Sequence, residues 1–385
     1  MKKPRILVIA DVAGSGQYYH AGDEAMAEVA FQRLAKIVGR EQLVLACPHP
    51  RTAGPAFCVK AIAMPLYTPK TWALHLLLNP VVTGYRILRC LWYLSRVDFV
   101  FKAGGGNIRG KYSKFPLLTV ARRWRKRIII VSQTLGPLHG NHRQVLRRQL
   151  EDALWIGVRD RSYSAGQTGL PVHFALDDAV YLQPRHNDLT LALAQEYSAL
   201  VGISFSGCKS ADEQQLNCLY RTIEKLVAEL EATAVFIPHH APQNRGDCAA
   251  ARAVVQHWHN TPFILLEQVP PASAILALTG ALRLVISNRY HGVIFGLTMG
   301  VPTVALYHDE YTEAKMRGAF EQFQLEPLAF SITNSFAADL TELVHKALAR
   351  QRDFAAAAKT IPAAGLADNI APYNLIKDFI AAQSN

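Results

Sequence analysis

Short, continuously apolar runs alternate with longer amphipathic stretches along the first half of the chain. The runs predict strands at residues 5–10, 43–47, 59–64, 99–103, 127–133, 155–159 and 172–176, and residues 23–38 are predicted to form a helix. Strands that are apolar throughout are typical of a parallel sheet that helices cover on both faces. This half of the sequence therefore predicts a doubly wound α/β domain.

The same pattern restarts after a polar, proline-containing segment at residues 183–188. Strands are predicted at residues 200–205, 234–238, 263–267, 284–287 and 303–307, and helices at residues 211–231, 248–259, 271–279 and 291–299. We expect two Rossmann-like domains, residues 1–185 and 186–385, each with a doubly wound parallel sheet and both facing a central cleft. A last helix at residues 373–383 is a candidate to pack back on the N-terminal domain.

Composition narrows the class of protein. Of the 385 residues, 50% are hydrophobic, with 24 Gly and 20 Pro, which excludes a disordered or collagen-like chain. The six Cys include no CxxC pair, which argues against a disulfide scaffold or a structural zinc site. Residues 1–11 turn polar too early for a signal peptide, and residues 72–94 carry too many polar and charged side chains for a membrane span. We expect a cytoplasmic protein.

Positive charge is concentrated in one segment. The formal net charge is +11, and residues 86–127 hold twelve Lys or Arg against one acid, Asp98. Such a segment suits nucleic acid, an anionic lipid surface or an anionic substrate. No nucleic-acid-binding motif accompanies the charge, so nucleic acid is not an expected partner. A solvated helix face at residues 122–127 explains the charge equally well. Peripheral contact with the inner face of a membrane is a further hypothesis.

The candidate site residues follow the predicted strands, where ligands bind in open parallel sheets. Residues 14–23 form a polar loop that lacks a GxGxxG pattern, and no acid ends the second strand, so a nicotinamide cofactor is disfavoured. Asp23 stands where this loop meets a helix and is an N-cap candidate. Gln133, at the end of the predicted strand 127–133, belongs to the same set of loops.

A glycine-rich segment follows the predicted strand at residues 99–103. It comprises Gly104, Gly105, Gly106 and Asn107, with Lys102, Arg109 and Lys111 nearby. Glycines let a ligand approach the backbone, and amides in such a loop can bind an anion. A tight strand-to-helix turn is the alternative. The segment lacks the GxxxxGK[ST] pattern, which excludes a P-loop ATPase.

Arg159 ends the predicted strand at residues 155–159. An arginine there is suited to bidentate binding of a carboxylate or phosphate. The alternative is an interdomain ion pair with Asp160, Asp177 or Asp178.

The most informative segment is the junction between the predicted strand 284–287 and the helix that follows it. Ser287, Arg289 and His291 gather there with the amides of a helix start, a combination suited to binding an anion and transferring a proton. A purely structural His291 is the alternative. His239 and His240 end another predicted strand, but no third ligand stands at metal-binding spacing, so no metal site is predicted.

Taken together, these segments resemble the polysaccharide pyruvyl transferase family. The matching residues occur in the expected order over residues 5–320: Ala21-Gly22-Asp23-Glu24-Ala25, Gly104-Gly105-Gly106-Asn107, Ser132-Gln133-Thr134-Leu135-Gly136-Pro137, Val158-Arg159-Asp160, Asp177-Asp178, Pro238-His239 and Ser287-Asn288-Arg289-Tyr290-His291-Gly292. The first loop departs from the family's short Asn-x-Gly-Asp form, and residues 72–94 have no match.

The resemblance implies a GT-B-like fold, phosphoenolpyruvate as donor, a sugar bearing two hydroxyls as acceptor, and a pyruvate ketal and phosphate as products. Arg159 and Arg289 look like the family's donor-binding arginines, and His291 looks like its acid. A general base must take up the hydroxyl protons, and Asp23, Asp177 and Asp178 are the candidates.

The arginines and loop amides can offset the phosphate charge, so no metal or cofactor is required. The basic segment is a candidate to hold an anionic, lipid-pyrophosphate-linked acceptor. The alternative function is a glycosyltransferase of the same fold with a nucleotide-sugar donor, in which Glu310 or Glu313 would bind the ribose.

Overall fold

The computed structural model describes residues 3–64, 80–108, 116–208, 210–240, 246–333 and 337–383. By the contacts between its residues the chain divides into two units. The N-terminal unit comprises Met1–Gly16, Met26–Asp178 and Gly365–Asn385, and the C-terminal unit comprises Gln17–Ala25 and Ala179–Ala364. A short segment near the start of the chain thus belongs with the C-terminal unit.

The N-terminal unit contains a parallel sheet. Its strands are β1 (Ile6–Ile9), β2 (Leu43–Cys47), β3 (Lys60–Ala63), β4 (Phe99–Lys102), β5 (Gly105–Ile108), β6 (Arg127–Leu135), β7 (Trp155–Val158) and β8 (His173–Phe174). They are ordered β3-β2-β1-β4-β6-β7-β8, and β5 also pairs with β6. Each pairing is parallel.

Helices cover both faces of this sheet. They are α1 (Ala21–Val38), α2 (Pro50–Phe57), α3 (Pro80–Ser95), α4 (Pro116–Arg123), α5 (Asn141–Leu150) and α6 (Arg161–Thr168). Alternate residues of β1 enter two different cores: Leu7 and Ile9 pack with α3, α4 and α5, whereas Ile6 and Val8 pack with α1. Burial on both faces explains why the strands are apolar throughout.

The C-terminal unit has a second parallel sheet. Its strands are β9 (Leu200–Ser204), β10 (Thr233–Phe236), β11 (Phe263–Leu265), β12 (Leu284–Ser287), β13 (Thr303–Tyr307) and β14 (Ala329–Ser331). They are ordered β11-β10-β9-β12-β13-β14. The strand order reverses between β9 and β12, and a ligand crevice forms beyond the carboxyl ends of strands at such a point in a doubly wound sheet.

The remaining helices belong to the C-terminal unit or continue into the N-terminal unit. They are α7 (Asp188–Glu196), α8 (Glu213–Glu229), α9 (Asp247–Val255), α10 (Ala272–Thr279), α11 (Tyr290–Thr298), α12 (Glu310–Gln322), α13 (Ala337–Ala349) and α14 (Gln351–Ala382). The end of α14 packs on the sheet of the N-terminal unit, where Tyr373 and Ile376 are buried in its core.

The predicted fold class of two doubly wound parallel sheets is confirmed. The structure adds β5, which was predicted as a loop, and β14, which was not predicted. Of the apolar stretch at residues 72–94, residues 72–79 lie outside the described part of the chain, and the rest belongs to α3. Among the described helices, none is long and apolar enough to cross a membrane.

Candidate functional site at the switch point of the C-terminal unit

The loops after β9 and β12 are tied together by one side chain. Asn288 accepts hydrogen bonds from the Ser206 backbone N–H at 2.7 Å and hydroxyl at 3.2 Å, and its Nδ2 donates to the Ser206 carbonyl at 2.8 Å. The Asn288 N–H donates to the carbonyl of Ser204, the last residue of β9, at 3.0 Å. The two loops at the point of strand reversal therefore form one hydrogen-bonded platform.

The turn from β12 into α11 is closed by Ser287. Its Oγ accepts from the Arg289 N–H at 3.0 Å and donates to the Arg289 carbonyl at 2.9 Å. A Cβ at position 292 would overlap this hydroxyl, so only glycine fits there. Ser287 is fully buried. Its hydroxyl shapes the turn, and the predicted contact with substrate stays a prediction.

Arg289 is held by the buried carboxylate of Asp247. The Arg289 Nε donates to both Asp247 oxygens at 3.0 Å, and Nη2 also donates to Asp247. Asp247 Oδ2 in addition accepts the backbone N–H groups of His239 and His240, at 2.9 and 3.1 Å. One carboxylate thus orients the guanidinium and the loop after β10 together. The Nη1 edge of Arg289 makes no hydrogen bond within the described part of the chain.

His239 lies buried beside this ion pair. Burial, followed by the positive charges associated with His291, Arg289 and His20, lowers the pKa of His239 well below its usual value. The ring is therefore neutral at pH 7. Its Nδ1 has no hydrogen-bond partner among the described residues, and the ring lies 5.6 Å from that of Phe295, centroid to centroid.

The segment Gln17–Ala25 completes the site. The Ala21 N–H donates to the His239 carbonyl at 2.9 Å, and His20 forms an antiparallel bridge with His240. The His291 ring rests directly on Gly22, where a Cβ would overlap its Nδ1, Cγ and Cε1 atoms. The imidazole of His291 can therefore lie here only because residue 22 is glycine.

His20 lies beside the His291 ring, and Asp23 lies beside His20. The helix α1 begins at Ala21, so Asp23 lies inside its first turn and not at the predicted N-cap. Its Oδ2 is 3.5 Å from the His20 Nδ1, and the His20 ring centroid is 6.5 Å from that of His291. Desolvation, and then the positive charge of Arg289, lowers the pKa of His20 well below its usual value.

This arrangement favours an anion. The fixed positive charge of Arg289 stands at the start of α11, where the helix dipole also favours negative charge and where no side chain caps the helix. Lys315 lies 5.0 Å from the centroid of the Tyr290 ring and adds a second cation. Proton transfer by His291 stays a prediction.

Arg159 lies in the N-terminal unit and is only 1% exposed. Its Nη1 donates to Asp177 Oδ2 at 2.6 Å and its Nε to the Thr134 hydroxyl at 3.0 Å. The predicted alternative of an ion pair between domains is wrong in one respect, because Arg159 and Asp177 pair within the N-terminal unit. Donor binding by Arg159 stays a prediction.

Asp178 is paired in the same way with a different arginine. The Arg33 Nη1 donates to Asp178 Oδ1 at 2.9 Å, and the Asn369 amide donates to the same oxygen at 3.3 Å. Burial raises the pKa of Asp178 to about 6.

The other predicted residues of the N-terminal unit have structural contacts. Gln133 is fully buried, and its Nε2 donates to the Ala103 carbonyl at 2.7 Å. Gly104 packs so closely against Met26 that a Cβ would overlap the Met26 sulfur. Gly105 begins β5 with φ of 147°, and Asn107 lies in the same strand. Arg109 and Lys111 lie outside the described residues.

Sequence reasoning missed His20 and the part that Asp247 plays. No motif marks either residue, because their roles depend on three segments that are distant in the sequence: residues 17–25, 239–247 and 287–291. Among the described residues, no group of three or more His, Cys, Asp or Glu is arranged to hold a metal ion.

The sequence model of the polysaccharide pyruvyl transferase family matches residues 20–310. No curated protein matches the sequence.

Several solved structures share the fold. Anabaena HepE in complex with UDP-glucose is 12% identical, with a TM-score of 0.58 over 98% of this chain and 100% of that one. A glycosyltransferase from Rickettsia africae is 12% identical, with a TM-score of 0.61 over 100% of both chains. The UDP-GlcNAc 2-epimerase of Methanocaldococcus jannaschii is 10% identical, with a TM-score of 0.57 over 89% and 92%. At these identities the likeness describes the GT-B-like fold alone.

Proposed function

Because the chain belongs to the polysaccharide pyruvyl transferase family, we propose that it transfers the pyruvate unit of phosphoenolpyruvate onto two hydroxyls of a sugar in a polysaccharide or its precursor. The observation that carries the proposal is the joint position of Arg289, His291 and Asp23 at the switch point of the C-terminal unit. These groups match the three needs of the reaction: holding an anion, supplying a proton and removing protons.

The reaction balances as follows. A proton adds to the methylene carbon of phosphoenolpyruvate, and a sugar hydroxyl forms a C–O bond to C2 while losing its proton. The bond from C2 to the phosphate oxygen then breaks, and phosphate leaves with the electron pair. The second hydroxyl forms the other C–O bond to C2 and loses its proton. The products are a cyclic ketal with a free carboxylate and inorganic phosphate.

Arg289 is the proposed donor-binding group. Its Nε and Nη2 are bound to Asp247, which fixes the guanidinium plane. The Nη1 edge, which has no hydrogen bond within the described residues, is the edge that would bind the carboxylate or phosphate of the donor. Because Asp247 is held by two backbone amides, the guanidinium is oriented before the donor arrives.

His291 is the proposed acid for the methylene carbon. Histidine is the side chain that most often acts as a general acid in enzymes. The ring packs closely against Gly22, which limits its movement on that side. The buried His239 and the partly buried His20 have lowered pKa values, so they are poor proton donors at pH 7.

Asp23 is the proposed base. Of the three carboxylates considered from the sequence, Asp177 and Asp178 belong to the N-terminal unit and are engaged by Arg159 and Arg33. Asp23 belongs to the same unit as Arg289 and His291 and lies beside His20.

The basic and glycine-rich segments of the N-terminal unit are the proposed acceptor side. Residues 86–127 would attract an anionic acceptor such as a lipid-pyrophosphate-linked glycan. Gly104 lies between β4 and β5, Gly105 and Asn107 belong to β5, and Gln133 belongs to β6. This part of the proposal rests on charge and on the position of these residues in one sheet.

The test is a phosphate-release assay with phosphoenolpyruvate and a panel of saccharide acceptors. The proposal expects phosphate release that depends on an acceptor, together with a mass gain of one pyruvate less one water on that acceptor. His291→Gln should lose turnover but still bind phosphoenolpyruvate in calorimetry, whereas Arg289→Gln should lose binding. The matched controls are two separate substitutions at exposed residues of the same unit, His259→Gln and Arg221→Gln. Full turnover in His291→Gln would exclude it as the acid.

A glycosyltransferase activity is the alternative that the same assay separates. It expects no phosphate release from phosphoenolpyruvate and instead release of a nucleoside diphosphate from a nucleotide sugar. Its candidate ribose-binding groups begin α12: Glu310 is exposed, and Glu313 is bound to Arg317 at 2.8 Å.

A further inference from the structure

The outer face of α3 exposes a continuous apolar stripe. Val81, Tyr85, Leu88 and Trp92 are 79, 60, 68 and 48% exposed, respectively. At the 3.6 residues per turn of an α-helix, these four positions fall within a sector about 60° wide. Apolar residues scattered over a surface are ordinary, but four in one row on one helix mark an interaction surface.

The opposite face of α3 already anchors the helix to the N-terminal unit. Cys90, Tyr93 and Leu94 are buried in the core that lies against the sheet. The exposed stripe is therefore not needed to hold the helix in place. It is available to a partner while α3 remains docked on its own unit.

Positive charge runs along one side of the stripe. Arg86 and Arg89 project from the same flank by the helical periodicity, Arg96 follows the last residue of α3, and residues 80–97 contain no acid. The Arg96 guanidinium lies 3.8 Å from the centroid of the Trp92 ring. Cations and exposed aromatic rings combined in this way are typical of a helix lying at the boundary of lipid headgroups and acyl chains.

A second basic feature adjoins the carboxyl end of α3. The Lys126 ammonium donates to the Ser95 and Val97 carbonyls at 3.1 and 2.8 Å, which joins the turn after α4 to the end of α3. Trp124 in this turn is 41% exposed. Next to it, Arg123 and Arg125 line a cavity of about 610 Å³.

We propose that the α3 stripe docks the protein on an anionic membrane surface, with Val81, Tyr85, Leu88 and Trp92 entering the headgroup boundary and the arginines binding lipid phosphates. Charge complementarity favours lipid over a second copy of the chain. A two-fold interface through this stripe would bring the arginines of both copies together without an acid on α3 to offset them. An anionic bilayer offers the opposite charge and an apolar interior at once.

The test is flotation of the full-length protein with vesicles of phosphatidylcholine mixed with phosphatidylglycerol, compared with vesicles of phosphatidylcholine alone. The proposal expects binding to the anionic vesicles that weakens in high salt, since salt screens charges beyond a few ångströms. The double variant Leu88→Ser/Trp92→Ser should lower the partition coefficient at least tenfold. Arg86→Gln should lower it roughly fivefold, the contribution of one arginine at such a surface.

Matched controls come from the C-terminal unit. Leu189→Ser removes a leucine that is 48% exposed, and Arg221→Gln removes an exposed arginine; neither should change vesicle binding. The replaced side chains of α3 are exposed, so the thermal midpoint of each variant should match that of the wild type. Vesicle binding that persists in Leu88→Ser/Trp92→Ser would overturn the proposal. So would the absence of vesicle binding together with a dimer that this variant dissociates.

The docking proposal stands apart from the proposed reaction. Flotation needs neither phosphoenolpyruvate nor an acceptor, so a failure to bind vesicles would not count against the proposed transfer reaction. Equally, a failure to transfer pyruvate to a water-soluble acceptor would not count against membrane docking.

Discussion

Replacing Asp247 with Asn tests whether one buried carboxylate organises the site. Asp247 is 2% exposed and accepts two backbone N–H groups and the guanidinium of Arg289, whose side chain is 23% exposed. Asparagine has nearly the same shape, and its single oxygen can still accept the N–H groups of His239 and His240. Its amide N–H groups would then face the N–H groups of Arg289, donor against donor.

The magnitude follows from the burial of the pair. Removing one partner of a buried ion pair costs about 3–5 kcal/mol. Because Arg289 keeps part of its contact with water, we expect about 2–3 kcal/mol for Asp247→Asn. For a unit of about 200 residues this lowers the thermal midpoint by about 4–12 °C.

Differential scanning calorimetry measures the loss, and Glu267→Gln is the matched control. Glu267 forms the same kind of pair with Arg252, but the two side chains are 61 and 48% exposed, so we expect less than about 1 kcal/mol there. Asp247→Asn should also weaken phosphoenolpyruvate binding at least tenfold, because Arg289 loses its orientation. Equal midpoints for the two variants, within about 1 °C, would refute the reasoning.

Three further results are expected. Gly22→Ala should displace the His291 ring and lower turnover about a hundredfold while donor binding changes little. The control is Gly166→Ala, because the added Cβ there would meet no other atom within 4 Å. Unchanged turnover in Gly22→Ala would contradict the packing argument. The folded-state pKa of Asp178, about 6, lies above the ordinary 3.8, so the wild type loses stability as pH rises through this window. Asp178→Asn should therefore gain about 2 kcal/mol relative to the wild type between pH 4 and pH 7 in urea unfolding, and a constant difference would contradict the raised pKa. The imidazole proton resonances of His239 should not titrate between pH 6 and pH 8, because its pKa is lowered well below 6.5; a midpoint within that range would contradict its burial.

The strands were predictable because a strand that is buried on both faces is apolar at consecutive positions. Leu43–Cys47, Leu284–Ser287 and Thr303–Tyr307 have the predicted bounds. Gly105–Ile108 was not predictable, because two glycines followed by an asparagine are typical of a loop, and this strand pairs with β6. Ala329–Ser331 is too short for its pattern to be distinguished from the background.

The site was predictable only where its residues are neighbours in the sequence. Arg289 and His291 stand together at a strand-to-helix junction, so their types and spacing indicate chemistry. The contacts of Gly22 with His291 and of Asp247 with Arg289 join segments more than forty residues apart, and no local pattern encodes them. Arg159 is the opposite case. In the sequence, an arginine at a strand end looks the same whether it binds a ligand or pairs with a buried aspartate, and in the structure it pairs with Asp177.

The most direct test of the central claim is a crystal structure of the protein with phosphoenolpyruvate bound. The account predicts the donor beyond the carboxyl ends of β9 and β12, with its carboxylate or phosphate against the Arg289 guanidinium and its methylene carbon facing the His291 ring. Phosphoenolpyruvate bound elsewhere, or bound there with Arg289 and His291 out of reach of it, would contradict the account.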